Sequence, residues 1–300
     1  MSSPLQESTN SKKPPVRKKT VPGIVASREK LTMLTAYDYW TAQLVDRAGT
    51  DMILVGDSLG MVVQGKEDTL EVTVDEMVYH CRAVNRGRQQ ALVVGDMPYL
   101  SYHISREETV RNAGRIITEG RADAVKLEGG RKRIPMIEAI LDAEIPVMGH
   151  IGLTPQSVNA LGGFKVQGKD FKSWQRAVDD ALALQDAGVF ALVLECIPYD
   201  LAEEITGKLD IPTIGIGAGP ACSGQVLVTH DLLGMSFGRT PKFVRQFADL
   251  SATGGDGLAA FIEAVHDGAF PTLKESFKPS KKADNIQLYG GDLSLTAKVG

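Results

Sequence analysis

A chain of 300 residues with formal net charge −4, 43% apolar and 23% charged, has the make-up of a globular protein sized for one large domain or two ordinary ones. The acidic balance argues against a general binder of nucleic acid or anionic membrane, and the longest apolar run, Ala187 to Leu194, falls far short of the ~20 residues a bilayer span needs. Three cysteines (Cys81, Cys196, Cys222) without metal-type spacing, no secretory hydrophobic core near the N-terminus and no Asn-x-Ser/Thr acceptor point to a reducing, cytoplasmic setting.

In chain order, residues 1–24 read first as a basic disordered arm. SKKPPVRKK, from Ser11, packs like charges around two prolines, which removes helix and repels; it is too Lys-rich to favour a transit peptide. Eight apolar, β-branched runs follow: LTMLTA from Leu31, DMILVG from Asp51, ALVVGD from Ala91, ADAVKLEG from Ala122, PVMGHIG from Pro146, FALVLECIP from Phe190, PTIGIGAG from Pro212 and GQVLVTHD from Gly224. Near-continuous apolar character is how strands buried on both faces read. Helix-period segments fill the gaps. Thr73 to Arg86 opens on TVDE and Ser105 to Glu119 on SREE, both capping-box starts, while Asp170 to Ala187 stops at Gly188. Strand–helix alternation repeated eight times predicts a single (β/α)8 barrel, a TIM barrel, over residues 25–278, with an open doubly wound sheet as the alternative. Residues 279–300 read as a polar, Gly-rich tail.

The informative polar residues fall at strand ends. Asp57 and Ser58 follow strand two, Asp96 ends strand three, and Lys126 and Glu128 share one face of strand four. His150 ends strand five and Glu195 strand six. The C-terminal rim of a (β/α)8 barrel carries its chemistry, so five consecutive strands aim ionisable groups at one mouth. A lone acid after a strand is most often a helix cap. Asp57 and Asp96 lose that reading through company: charges converging on a low-dielectric site must be paired or bound to a cation. Carboxylates suit a hard ion such as Mg²⁺, and the lack of a close His/Cys pair argues against zinc.

Several features are expected to be silent. GFKVQGKD, from Gly163, lacks the Ser/Thr of a phosphate loop, because Asp170 stands there. GIGAGP, from Gly215, reads equally as a phosphate grip after strand seven or as a tight turn. Cys196, next to Glu195, is expected to point out of the barrel by strand alternation. His80, His103 and His266 have no placed partners, and His230 has only its position near the end of strand eight.

These same residues carry a likeness. LTAYDYWTAQLVDRAG, ILVGDSLGMVVQG, DMPYLSY, AVKLEGG, GHIGLTPQSVNALGGFKVQG, LVLECIP, IGIGAG and GLAAFIEAVHDGAFP, in order from about Glu29 to Phe277, resemble the 3-methyl-2-oxobutanoate (ketopantoate) hydroxymethyltransferase family. The resemblance implies a Mg²⁺-binding (β/α)8 barrel forming large homo-oligomers (decamers), which moves the one-carbon unit of 5,10-methylenetetrahydrofolate onto 3-methyl-2-oxobutanoate (2-oxoisovalerate) and makes the pantothenate precursor 2-dehydropantoate. By motif it puts the metal ligands on Asp57, Asp96 and Glu128. The 2-oxo acid contacts fall on Asp57, Ser58, Asp96 and Lys126, with His150 in the same site, and the catalytic base falls on Glu195. Two rival readings remain at this point. A Mg²⁺-dependent 2-oxo acid lyase or mutase would want a reactive Cys or an Arg cluster at the mouth, and a non-catalytic 2-oxo acid-binding oligomer would need no base.

Overall fold

In the computed structural model, which describes residues 18–236, 238 and 240–278, all eight apolar runs become strands. They are β1 (Leu31–Thr35), β2 (Met52–Val55), β3 (Leu92–Asp96), β4 (Ala124–Glu128), β5 (Val147–Gly152), β6 (Ala191–Glu195), β7 (Thr213–Ile216) and β8 (Gly224–Leu227). All pair in parallel and in sequence order, and β8 returns to β1 to close the barrel.

The helices are α1 (Val21–Val25), α2 (Tyr39–Arg47), α3 (Leu59–Val62), α4 (Val74–Gly87), α5 (Arg106–Thr118), α6 (Ile134–Asp142), α7 (Val158–Leu161), α8 (Phe171–Asp186), α9 (Tyr199–Lys208), α10 (Thr229–Leu232) and α11 (Leu250–His266). Of the two expected capping boxes, the one at Thr73 is complete and the one at Ser105 is half formed, with only the serine side chain engaged. Thr73 accepts from the backbone N–H of Glu76 while the Glu76 carboxylate accepts from Thr73 N–H, a complete capping box at α4. Ser105 caps α5, and Asp170 caps α8 with Ser173 answering. Asp170, which spoils the phosphate-loop pattern, is thus employed as a helix cap.

Two layers of core follow from strand alternation. The barrel lumen is filled by Leu31, Met33, Met52, Leu54, Leu92, Val94, Ala124, Met148, Ala191, Val193, Ile214 and Val226, joined by Ile24 of α1. The outward-facing residues, such as Ile53, Val93, Val125, Leu127 and Leu194, pack on Val84, Ile116, Ile140, Leu184 and Ile205 of the helices. Along β3 the inward series runs Leu92, Val94, Asp96; along β4 it runs Ala124, Lys126, Glu128; along β6 it runs Ala191, Val193, Glu195. Apolar lower layers therefore end in a charged top layer.

The structure differs from the sequence expectation in three places. No helix separates β7 from β8. Residues 217–223 cross back directly, although a parallel pair ordinarily needs a dozen or more residues. The GIGAGP segment is the start of this tight crossover: Gly219 takes φ +82°, its carbonyl accepts from Gln225 Nε2 at 2.9 Å, and the Lys30 ammonium gathers the carbonyls of Pro220, Ala221 and Cys222. Second, residues 18–24 are not an arm. Lys18 and Lys19 pair with Asp123 and Asp51, and α1 buries Ile24, so folded chain begins earlier than expected. The rest of the expected arm (1–17) and the tail (279–300) lie outside the described residues. Third, the boundary expected at 278 falls between Ala248 and Asp249. The barrel belongs to the unit ending at Ala248, and α11 belongs to a second one. No helix among the described residues is long and apolar enough to cross a membrane.

Candidate active site

The barrel mouth opens into a cavity of about 550 Å³ lined by all seven residues singled out from the sequence: Asp57, Ser58, Asp96, Lys126, Glu128, His150 and Glu195. Strand register explains how they meet. Asp96 is paired with Lys126, Glu128 with His150, and Gly152 with Glu195, so neighbouring strands present these inward groups at matching heights.

Contact follows from that register. Lys126 Nζ stands 2.8 Å from Asp96 Oδ1, close enough for charge attraction but not aligned as a hydrogen bond. His150 reaches Glu195 Oε2 with Nε2 at 3.1 Å and Glu128 Oε1 with Nδ1 at 3.5 Å. Lys126 Nζ lies 3.3 Å from His150 Nδ1, a hydrogen bond only when the imidazole is neutral. Burial and Lys126 press the imidazole toward that neutral form, while Glu128 and Glu195 oppose them and prevail, raising His150 to about 9. Burial, followed by the charges of Asp96 and Glu128, pushes the Asp57 carboxyl well above the usual range. Burial also raises Asp96, against the pull of Lys126. Burial alone would lower Lys126, but Asp96, Glu128 and Asp57 together hold it above its ordinary value.

Fully ionised, four carboxylates (Asp57, Asp96, Glu128, Glu195) face one ammonium and one imidazolium, an excess of two negative charges. Isolated buried charge of that size is untenable without a compensating cation or bound protons. The donor set, all carboxylate oxygen with room for water, fits a hard divalent ion. Among the described residues no three or more His, Cys, Asp or Glu side chains close into a cage, but an octahedral ion that keeps its waters needs only one or two carboxylates. Ser58 and Asp96 close in beside Gly56, where a Cβ would stand 2.7 Å from Ser58 Oγ and 3.4 Å from Asp96 Oδ2.

Other side chains enter the site unannounced. Tyr37, buried in the core, shares a 2.9 Å hydrogen bond with Ser58 Oγ, and burial pushes its phenol up to about 12. Gln156 donates to Asp57 and accepts from Tyr102. Both tyrosines and Gln156 sit inside motifs quoted above (LTAYDYW, DMPYLSY, GLTPQS), but neutral polar residues give no charge pattern to single them out. Cys196 corrects the outward expectation: β6 ends at Glu195, Cys196 turns into the left-handed region (φ +46°), strand alternation no longer applies, and the residue lines the cavity. Burial, then Glu195, raises its thiol to about 11, so it stays a thiol and supplies no nucleophile for the lyase reading. The GFKVQGKD segment contributes Phe164, Lys165 and Val166 to the cavity rim. His80 Nδ1 meets Tyr37 O at 2.6 Å, and the His230 ring packs against Tyr37 at 5.7 Å; both serve the wall behind the site.

Comparison with known proteins decides the family. The ketopantoate hydroxymethyltransferase family model matches residues 17–273. The chain belongs to the ketopantoate hydroxymethyltransferase family. It is 58% identical over 250 residues to 3-methyl-2-oxobutanoate hydroxymethyltransferase of Syntrophomonas wolfei, covering 83% of this chain and 91% of the relative. The Clostridium botulinum enzyme of the same name is 56% identical over 254 residues, covering 85% and 92%. Among solved structures, phosphoenolpyruvate phosphomutase from Streptomyces platensis superposes with a TM-score of 0.57 at 16% identity, covering 86% of this chain and 91% of that one. A phosphonopyruvate hydrolase does so with 0.57 at 14%, covering 86% and 93%. These two similarities speak to the fold alone. As a member of the family the protein is a hydroxymethyltransferase, which removes the non-catalytic and lyase readings.

Proposed function

We propose that the protein transfers the one-carbon unit of 5,10-methylenetetrahydrofolate to 3-methyl-2-oxobutanoate with Mg²⁺, giving 2-dehydropantoate for pantothenate synthesis. Asp57 and Asp96 would hold the ion, with Glu128 beside them. Bound there, Mg²⁺ supplies Lewis-acid polarisation of the 2-oxo group, which acidifies the neighbouring methine C–H.

The remaining work falls to the chain. Lys126 offsets the carboxylate charge of the 2-oxo acid. Ser58, oriented by Tyr37, hydrogen-bonds that carboxylate. Glu195 takes the methine proton, and its contact with His150 keeps the carboxylate aimed into the cavity. The enolate carbon then forms the new C–C bond with the methylene carbon of the folate. Both C–N bonds to that methylene carbon break: water supplies the hydroxyl, and its remaining proton together with the one taken by Glu195 restores the two N–H groups of tetrahydrofolate. Across the barrel from β3 and β4, Ile216 of β7 and Val226 of β8 offer an apolar wall suited to the isopropyl group. Homo-oligomeric assembly in the cytoplasm belongs to the same reading and rests on family membership.

The observation that carries this reading is the two-charge excess in the cavity beside Glu195. It suits a site that takes up a divalent cation and then an organic anion. Incubating the protein with both substrates, with and without Mg²⁺, and following 2-dehydropantoate by mass spectrometry tests it. Mg²⁺-dependent product supports the assignment; turnover unaffected by chelation removes the metal from it.

A further inference from the structure

The acidic cluster has an organiser that carries no charge. Gln156 follows β5 in a single turn of 3-10 helix, Pro155–Ser157, and is itself buried. Both protons of its amide are spent: Nε2 donates to Asp57 Oδ2 at 2.8 Å and to the Met97 carbonyl at 3.0 Å. Its Oε1 accepts from Tyr102 Oη at 2.5 Å, and Tyr102 Oη in turn accepts from the backbone N–H of Glu128 at 3.2 Å. The backbone N–H of Gln156 donates to Glu128 Oε2 at 3.1 Å. One residue thus grips two carboxylates, one just past β2 and one at the end of β4, and is locked in its own rotamer by a buried tyrosine.

The chemistry explains why a glutamine suits the place. A carboxylate crowded by Asp96 and Glu128 cannot be oriented by another anion. A lysine or arginine there would cancel the negative charge that draws a cation. A primary amide supplies two directed N–H donors, an acceptor for Tyr102 and no net charge. With Oδ2 so held, Asp57 Oδ1 has no hydrogen-bonding partner among the described residues, and the side chain lines the cavity.

We propose that Gln156 is a positioning residue, fixing Asp57 and Glu128 in the orientation that the divalent cation and the 2-oxo acid require, with Tyr102 acting through it. This rests on the reading of the site given above. Partners that orient metal-binding groups typically contribute 10–100-fold in metal affinity or activity.

The test compares wild type, Gln156→Met, Tyr102→Phe and the double variant, each checked for an intact thermal transition. Mg²⁺ is titrated calorimetrically in the presence of 3-methyl-2-oxobutanoate, and kcat and KM are measured for each substrate. Gln156→Met should weaken Mg²⁺ binding by roughly 10–100-fold and raise KM for the 2-oxo acid, with KM for the folate donor unchanged. Tyr102→Phe should do the same more mildly. The double variant should lose less than the sum of the two single losses, because Tyr102 reaches Asp57 only through the glutamine and otherwise touches just the backbone N–H of Glu128. Wild-type affinity in Gln156→Met, fully additive losses in the double variant, or equal changes in both KM values would overturn the proposal. If wild type itself binds no Mg²⁺, the metal reading fails on its own. The positioning role then stands or falls on whether KM for the 2-oxo acid alone rises in Gln156→Met.

Discussion

The backbone N–H of Asp57 donates to Asp96 Oδ2 at 3.1 Å, so the main chain at the tip of β2 holds the carboxylate that ends β3. This bond requires Asp57 to lie one step beyond the level of Asp96, with Gly56 filling the inward position between them. Register agrees: Val55 pairs with Gly95, which brings Gly56 level with Asp96.

Gly56→Ala therefore tests the packing of the site without touching its charge. The added methyl would stand 2.7 Å from Ser58 Oγ and 3.4 Å from Asp96 Oδ2, and something must move. Overpacking of this kind costs about 1–3 kcal/mol of stability, and where it is relieved by displacing Ser58 or Asp96 the affinity for 3-methyl-2-oxobutanoate should fall while the barrel stays folded. Calorimetric titration of the 2-oxo acid measures it. An unchanged affinity would mean that Ser58 and Asp96 do not surround the bound acid.

Protons and the divalent ion compete for the same site. Burial, then Asp96 and Glu128, raises the Asp57 carboxyl, so without a cation Asp57 keeps its proton to a higher pH than an ordinary aspartate. As pH climbs through that raised value, the metal-free site gains an uncompensated charge and the fold loses stability. A divalent cation that displaces the proton restores it, and binds more tightly as pH rises. The gain in thermal midpoint on adding Mg²⁺ should grow as pH rises from the ordinary aspartate range upward. A gain that is flat or shrinking across that range would show that Asp57 carries no exchangeable proton.

The closed floor of the barrel yields a stability prediction. Lys18–Asp123 and Lys19–Asp51 are surface pairs, with lysines 47% and 46% exposed, and such pairs contribute ~0–1 kcal/mol. Ile24, only 2% exposed among the lumen residues, is the stronger attachment. Ile24→Ala should cost ~2–5 kcal/mol in urea unfolding, far more than removal of either lysine. A loss within the range of the lysine variants would mean that α1 does not plug the barrel.

These residues also show what the sequence makes legible. Alternation and apolar continuity found all eight strands, because a strand buried on both faces cannot disguise its composition. The charged site was readable for the same reason: Asp, Lys, Glu and His at the ends of such strands have no apolar excuse. Three things were not readable. The β7–β8 crossover is held by Lys30, far away in sequence, meeting three carbonyls. The fate of Cys196 turned on a single backbone dihedral at a strand end. Gln156, Tyr102 and Tyr37 matter through hydrogen bonds whose partners are 54, 99 or 21 residues away, and a neutral side chain carries no local sign of such a partner.

The most direct test of the site's chemistry omits the folate and isolates proton removal. In deuterated buffer with Mg²⁺, deuterium entering the methine position of 3-methyl-2-oxobutanoate is followed by proton NMR for wild type and Glu195→Gln. The variant keeps the side chain's shape but cannot accept a proton, so exchange should slow by roughly 10²–10⁴-fold while the 2-oxo acid still binds. Exchange at the wild-type rate in Glu195→Gln would contradict the assignment of Glu195 as the base.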